Sequence, residues 1–314
     1  MEDVPCAAHR QDSGTGAGKR AGRRSGYFIL KWPTATLANP VMTPLQHFWH
    51  TPELPFLEGR RATGSLSCYA PHTHDSFSIG IVDGGQSVFS VAGRSMAIVP
   101  GDVVLVRAGD VHSCNPAELQ RWSYRMFHLD VHWLARLLDE TPSTRGLLQR
   151  MDSQVLRSAS AVQLLNRMTA ALDAHQVDLH ADLQADIITC LHELMQLCAE
   201  TCASPLTMAT QGSDGLQAAH DFLQAHCRER ITLDTLAAIA GTSRYQLIRQ
   251  FNRRFGMTPH ALQLDMKIRQ ARVLLRQGAS AADAAYDTGF ADQSHFHRVF
   301  KSRVAVTPLQ YARP

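Results

Sequence analysis

Long apolar runs are missing from the 314-residue chain. No stretch approaches the roughly 18 apolar residues that a membrane span needs, so we expect no insertion into a membrane. The start also lacks the apolar segment of a secretory signal. Residues 1–26 are small, polar and basic, and residues 1–41 are expected to form a poorly ordered tail. The seven cysteines are odd in number and irregularly spaced, which favours reduced thiols in a cytoplasmic chain over a disulfide framework.

Most of the chain lacks an excess of positive charge. The excess is concentrated in the C-terminal third. Residues 216–314 hold 14 Lys and Arg against 7 Asp and Glu, whereas residues 27–215 hold 12 against 18. Because a basic surface attracts a polyanion, the last third of the chain is the part suited to nucleic acid.

Two hydrophobic patterns divide the chain. Short β-rich runs between turn signals occupy residues 61–131, and they predict a cupin-like β-barrel or jelly roll over 42–140. A helical period covers 141–202, an aperiodic linker follows over 203–215, and residues 216–314 are helical again. We therefore predict an α+β chain whose C-terminal domain is all-α.

The helix predicted near residues 179–202 has apolar side chains at every third or fourth position, including Leu183, Ile187, Leu191 and Cys198. Such a stripe needs a partner surface. It can pack on its own β domain, or it can pair with the same helix of a second subunit to form a homodimer. Both alternatives are open from the sequence.

The C-terminal third contains one pattern twice. The first copy reads ITLDTLAAIAGTSRYQLIRQFNRRFGMTP and the second reads SAADAAYDTGFADQSHFHRVFKSRVAVTP. In each copy a small residue lies four positions before a glycine, Ala237 before Gly241 and Ala285 before Gly289. A small residue lets two helices cross closely and glycine permits a sharp turn, as in a helix-turn-helix whose second helix enters a DNA major groove.

The exposed face of each second helix is expected to contact DNA, since arginine forks onto guanine and apolar groups contact thymine methyls. The predicted DNA-binding residues are Arg244, Tyr245, Ile248, Arg249, Asn252, Arg253, Gln293, Ser294, His297, Arg298 and Lys301. A single exposed arginine more often forms a surface ion pair, but equivalent arginines in both copies favour DNA contact. The helix that begins at Thr258-Pro259 is expected to hold the two reading helices about one DNA turn apart, roughly 34 Å.

These motifs resemble the DNA-binding domain of the AraC/XylS family of transcription regulators. The resemblance rests on Ala237-x3-Gly241-x-Ser243-x3-Leu247-x-Arg249-x-Phe251 and on Gly289-Phe290-x-Asp292-Gln293-Ser294-x-Phe296-x-Arg298-x-Phe300. One position departs from the family pattern: Ala305 stands where glycine is usual, as Gly256 does in the first copy. Alanine adopts a positive φ at a higher cost, so we expect this helix end to be slightly strained or reshaped.

The N-terminal region resembles the cupin-like sensor domain of the same family. His72, His74 and His112 match the histidines of the metal cupins, but no glutamate lies between His74 and Glu118, where those proteins have one. Three histidines can hold zinc with an open position. We favour hydrogen bonding within the barrel wall, so no metal or cofactor is expected, and these three histidines are the candidates if one binds.

A barrel mouth is a natural pocket for a small molecule. The candidate effector-binding residues are His72, His74, Arg107, His112, Trp122 and Tyr124. Strand side chains alternate inward, and Arg107 can pair with a carboxylate. The resemblance implies a regulator that binds double-stranded promoter DNA in response to a small molecule. Activation through RNA polymerase is the usual outcome in the family, and repression is the other.

Two rival functions stay open at this stage. A cupin enzyme with an appended helical domain would need a metal at the three histidines and turnover of a substrate. The missing glutamate counts against that rival, and we expect no enzymatic activity. A ligand-independent architectural DNA-binding protein would gain no stability from any metabolite.

Overall fold

The computed structural model describes residues 45–117, 120–175, 182–201 and 214–312. The predicted tail over 1–41 and nearly all of the predicted linker lie outside these residues. Within them, no helix is both long enough and apolar enough to cross a membrane.

The strands are β1 (Leu45–Trp49), β2 (Leu57–Ser65), β3 (Ser76–Gly84), β4 (Ser87–Val91), β5 (Arg94–Ile98), β6 (Val103–Val106), β7 (His112–Pro116), β8 (Trp122–Asp130) and β9 (Gln154–Leu156). The helices are α1 (Val131–Asp139), α2 (Leu147–Arg150), α3 (Ala159–His175), α4 (Leu183–Thr201), α5 (Asp214–Ala225), α6 (Leu233–Ile239), α7 (Arg244–Phe255), α8 (Pro259–Arg276), α9 (Ala281–Asp287), α10 (Gln293–Val304) and α11 (Pro308–Ala312).

Two antiparallel sheets form the N-terminal domain. Their strand orders are β1-β2-β8-β3-β6-β9 and β5-β4-β7. Side chains of both sheets, such as Val104 from the larger and Phe89 and Ile98 from the smaller, pack in one buried cluster. The predicted α+β class is confirmed, but the hydrogen bonds of the described strands do not close the sheets into a barrel.

Helices cover the other face of the larger sheet. Ile79 and Phe127 of that sheet share a core with Leu165 of α3 and Leu191 of α4. The apolar stripe of α4 is thus buried in its own domain, the first of the two alternatives for this helix. A homodimer cannot use that stripe without opening this core, because the interior is close-packed.

One strand lies inside the segment predicted to be helical. β9 (Gln154–Leu156) pairs with β6 at the edge of the larger sheet. Three residues are too few to show a strand periodicity, which explains why the sequence pattern did not reveal it.

Side-chain caps begin the helices of the C-terminal domain. Thr232, Ser243, Thr258 and Asp292 each accept a hydrogen bond from a backbone N–H in the first turn of α6, α7, α8 and α10. These bonds satisfy donors that a helix start leaves without a partner.

The long helix α8 joins the two helix-turn-helix units. Leu262 and Met266 belong to the core of the first unit, whereas Ile268 and Leu275 belong to the core of the second. The prediction that this helix is the shared scaffold of both units is confirmed.

The glycine turn of the second unit is sterically required. Gly289 has a φ of 72°, and a Cβ there would overlap the carbonyl oxygen of Arg228. Both recognition helices end at a residue in the left-handed region, Gly256 with φ 71° and Ala305 with φ 60°. The second helix therefore keeps the geometry that glycine normally supplies, at the higher cost that alanine carries.

Candidate DNA interface and interdomain cavity

The N-terminal halves of α7 and α10 are exposed to solvent. Exposed side chains of the predicted DNA-binding set are Arg244, Tyr245, Arg249, Asn252, Arg253, Gln293, Ser294, Arg298 and Lys301. Tyr245 is 75% exposed, so its ring is available to a base edge. Ile248 and His297 are half-buried, so they are less available to a base edge than their neighbours.

The arginines of this surface differ in whether they form an ion pair. Arg244 Nε lies 3.0 Å from Asp234 Oδ1 of the preceding helix. Arg249 and Arg298 form no ion pair with an acidic residue in the described part of the chain. The surface ion-pair interpretation therefore has no support at the two equivalent arginines.

The C-terminal ends of both recognition helices contact the N-terminal domain. At the end of α7, the Gly256 backbone lies against Val111. At the end of α10, Ala305 is buried in the cluster between the two sheets, and Ala70 N donates a 2.9 Å hydrogen bond to Ser302 O. The two helices thus point their C-terminal ends at the N-terminal domain and expose their N-terminal halves.

A cavity of about 60 Å³ lies between the two domains. It is lined from the N-terminal domain by Glu58, Arg60, Tyr69, His72, His74, His112, Trp122, Tyr124 and His128, and from the C-terminal domain by Asp265, Arg272, Arg303 and Tyr311. The structure thus brings together five of the six predicted effector-binding residues. Arg107 lies outside this cavity, and its Nη1 is 3.6 Å from Asp152 Oδ1, because β6 ends before Arg107 and turns it toward another groove.

A carboxylate of the N-terminal domain is held by three groups of the C-terminal domain. Glu58 Oε1 lies 3.0 Å from Arg272 Nη2, Arg276 Nη1 pairs with Oε2 of the same carboxylate, and the Tyr311 hydroxyl donates to Oε2 over 3.1 Å. Burial alone would raise the pKa of Glu58, but Arg272, His128, Arg276 and the Tyr311 hydrogen bond together outweigh it and lower this pKa to about 2. Glu58 is therefore a buried anion that ties the two domains together.

Arg60 also crosses the domain boundary. Its Nη1 donates to the Val304 carbonyl oxygen over 2.7 Å, and its guanidinium lies 5.7 Å from the ring centre of Tyr69 and 5.8 Å from that of Tyr124. The two tyrosine hydroxyls hydrogen-bond each other. Such a cation over aromatic faces is stabilised most strongly when it is desolvated, as it is here.

A second contact reaches from α8 to the loop that carries the histidines. Thr73 Oγ1 donates to Asp265 Oδ2 over 2.6 Å. Arg269 and Arg303 lie on either side, each with its Nε 3.7 Å from an Asp265 oxygen. Burial raises the pKa of Asp265 despite these neighbours.

Four histidines lie together on the N-terminal wall of the cavity. One ligand nitrogen of each of His72, His74 and His112 lies within 4.8 Å of the others. The fourth, His128, has its ring centre 4.5 Å from that of His74. Its Nδ1 lies 2.8 Å from the Oγ of Ser78. Burial lowers the pKa of all four rings, that of His128 to about 3, so the cluster is uncharged at neutral pH.

Sequence reasoning missed Glu58, His128 and Arg272. The sequence signal for Glu58 was an acidic residue in a strand that also carries Arg60 and Arg61. The signal for Arg272 was its place in the row Arg269, Arg272 and Arg276 along α8. Neither signal names its partner, since Glu58 and Arg272 are 214 positions apart in the chain.

Comparison with known proteins matches two parts of the chain to family models. Residues 54–187 match the family profile of the AraC-like ligand binding domain, and residues 236–314 match that of a helix-turn-helix domain. The uncharacterised HTH-type transcriptional regulator YbfI of Bacillus subtilis is 29% identical over 244 residues, which cover 76% of this chain and 85% of that protein.

Two further proteins extend the comparison. The HTH-type transcriptional activator RhaS of Shigella sonnei is 26% identical, over 76% of this chain and 86% of its own. A crystal structure of an apo ToxT variant from Vibrio cholerae superposes with a TM-score of 0.53 at 15% identity, over 82% of this chain and 96% of its own. At that identity the likeness to ToxT shows the fold.

The two exposed recognition helices and the β domain docked behind them define a DNA-binding protein with an attached ligand-binding domain. The chain belongs to the AraC family of transcription regulators. It is thus a transcription regulator with a helix-turn-helix DNA-binding domain and an AraC-like ligand-binding domain.

Proposed function

We propose that this regulator reads two adjacent major-groove segments of promoter DNA, and that a small molecule in the interdomain cavity controls how the reading helices are held. The observation that carries the proposal is the cavity itself. It lies between the β domain and the helices α8, α10 and α11, so it is lined by both domains. A ligand there contacts the sensor and the scaffold helix α8 at the same time.

The size of the cavity explains how a ligand would act. Its volume of about 60 Å³ is small against the roughly 300–1,000 Å³ of ordinary ligand pockets. A metabolite larger than a few atoms therefore enters only if α8 and α11 move away from the β domain. Since a ligand shifts an equilibrium by its differential affinity for two states, such a metabolite favours a rearranged placement of the DNA-binding domain.

The chemistry of the lining favours an anionic or hydrogen-bonding effector with an apolar or aromatic part. Arg60 and Arg272 supply positive charge, while Trp122 and Tyr124 stack at 4.2 Å between ring centres. A carboxylate that displaces Glu58 from Arg272 would release a charge-assisted link between the domains.

The chain acts by binding and has no enzymatic activity of its own. Its effect on transcription is activation, the activity that the name of its relative RhaS states. It activates by contacting RNA polymerase bound beside it on the DNA, in the cytoplasm. A homodimer would use the exposed side of α4, where Arg167 of α3 and Glu193 already pair at 3.1 Å.

The test begins with DNA selected from a random pool by the purified full-length chain. Candidate metabolites are then screened by thermal shift, and the affinity for the selected DNA is measured with and without each stabilising compound. We expect at least one anionic compound to stabilise the chain and to change its DNA affinity. Trp122→Ala, inside the cavity, should abolish the stabilisation, whereas Trp133→Ala, outside it on α1, should not.

Two results would count against the proposal. If the selection yields no consensus sequence, the proposal that the chain reads specific DNA is wrong. A stabilising compound whose effect survives unchanged in folded Trp122→Ala would place the effector elsewhere.

A further inference from the structure

We propose that His72, His74 and His112 form a binding site for one divalent transition metal ion, with Zn²⁺ as the best match. The site lies inside the interdomain cavity, whose lining also includes Tyr311 and Arg272, with Arg272 Nη1 3.5 Å from His74 Nδ1. This inference stands on the geometry of the three rings and does not depend on DNA reading or on an organic effector.

The tautomers of two rings follow from their partners. His72 Nδ1 lies 2.9 Å from the Ala70 carbonyl oxygen, and His112 Nδ1 lies 2.9 Å from the Asp110 carbonyl oxygen. A carbonyl oxygen only accepts, so both Nδ1 atoms carry the proton and both Nε2 atoms keep a free lone pair. Metal-bound histidines are usually fixed in this way by a carbonyl behind the ring.

The backbone holds these rings in place. His72 and His112 face each other across a backbone bridge, with His72 N to His112 O at 3.1 Å and His112 N to His72 O at 3.0 Å. His74 lies two residues after His72, and its carbonyl oxygen accepts a 2.8 Å hydrogen bond from Gly109 N. The three ligands therefore sit on two paired segments and not on loose loop tips.

The distances suit a small ion. The three ligand nitrogens lie within 4.8 Å of one another. Tetrahedral zinc with bonds of about 2.0–2.1 Å needs its nitrogens roughly 3.4 Å apart. Zinc binding therefore requires the three rings to rotate closer together.

The surroundings leave one position for a further ligand. The cavity of about 60 Å³ exceeds the roughly 10–15 Å³ of space that one water molecule needs. It therefore accommodates an ion with a water molecule or a small anionic group. Three neutral imidazoles leave the ion its full charge, and Arg60 and Arg272 add to it, so an anionic fourth ligand is strongly favoured over a neutral one.

The test is metal uptake by the full-length chain. Protein stripped with a chelator is given one equivalent of Zn²⁺, desalted and analysed for metal. Co²⁺ is added to a second sample, because three-histidine coordination gives it visible d–d absorption. We expect one zinc per chain, a visible Co²⁺ band, and a change of that band when azide is added to fill the open position.

Variants assign the site. His72→Ala, His74→Ala and His112→Ala should each weaken zinc binding by more than the roughly 10–100-fold that loss of a supporting partner costs. His132→Ala, on the exposed face of α1, is the matched control and should bind normally. If a variant fails to fold, the Co²⁺ band of the unaltered chain still decides.

Substoichiometric zinc with no Co²⁺ band in the unaltered chain would overturn the proposal. Unchanged zinc affinity in folded His112→Ala would overturn it as well. The DNA affinity of the same samples is recorded separately, so failure to bind metal and failure to read DNA are distinguished.

Discussion

Ala305 shows how one residue can serve both domains. Its left-handed backbone costs roughly 1 kcal/mol relative to glycine. Its side chain, however, is 8% exposed in the cluster between the two sheets, and a buried carbon of this size contributes about 0.8 kcal/mol. The two effects nearly cancel. The departure from the family pattern is thus explained by a contact with the other domain, which the sequence of the helix alone could not reveal.

The arginines of the recognition helices support a prediction at the same scale. Replacing Arg249 or Arg298 with Ala should weaken binding to selected DNA by about 1–3 kcal/mol, because each can fork onto a base. Binding is measured by titration of labelled selected and scrambled DNA. Arg136→Ala, exposed on α1, is the control. Equal losses on both DNAs would show that these side chains contact phosphates only.

At the scale of elements, the Glu58 carboxylate links β2 to α8 across the domain boundary. Glu58→Gln leaves Arg272 buried without its counter-ion, and breaking a buried pair in this way costs roughly 3–5 kcal/mol. We expect faster backbone hydrogen exchange along α8 and α11, and separate unfolding of the two domains. Glu140→Gln, at the exposed end of α1, should change neither. Unaltered exchange in Glu58→Gln would mean that other contacts hold the domains.

The pKa of Glu58 makes this link sensitive to acid. Its ordinary value of 4.5 falls to about 2 in the docked state. At pH values above 4.5, a Glu58 carboxyl with a lowered pKa stabilises the docked state. This stabilisation is lost as the pH falls from 4.5 towards 2. The slope is at most about 1.4 kcal/mol per pH unit.

Hydrogen exchange or domain unfolding measured between those pH values tests this dependence. Glu58→Gln should remove this component of the pH dependence. A slope that is the same in the unaltered chain and in Glu58→Gln would assign the acid sensitivity to other groups.

Over the whole molecule, short sequence patterns predicted the features that depend on neighbouring residues. The duplicated turn and the helix caps follow from short-range residue preferences, and the shared scaffold α8 follows from helical periodicity. The β-rich domain was visible as alternating runs, although β9 was too short to detect. The cavity was only half predictable, because Glu58 and Arg272 meet through domain docking and no periodicity records which surfaces meet.

The excess charge of the C-terminal third leads to a prediction for the whole molecule. Each phosphate that the chain neutralises releases counterions, so the logarithm of DNA affinity should fall with the logarithm of salt concentration by about 0.9 per contact. The exposed Arg249, Arg253, Arg298 and Lys301 make a steep slope the expected result. Titrations at several salt concentrations measure it, and a flat response would contradict a basic docking face.

The most direct measurement of the central claim is a footprint of the chain on its selected DNA. Two helices on one scaffold should protect two major-groove segments about 10–10.5 base pairs apart on one face of the duplex. Arg249→Ala should weaken protection of one segment and Arg298→Ala that of the other. A single protected segment that responds equally to both substitutions would contradict the two-helix account.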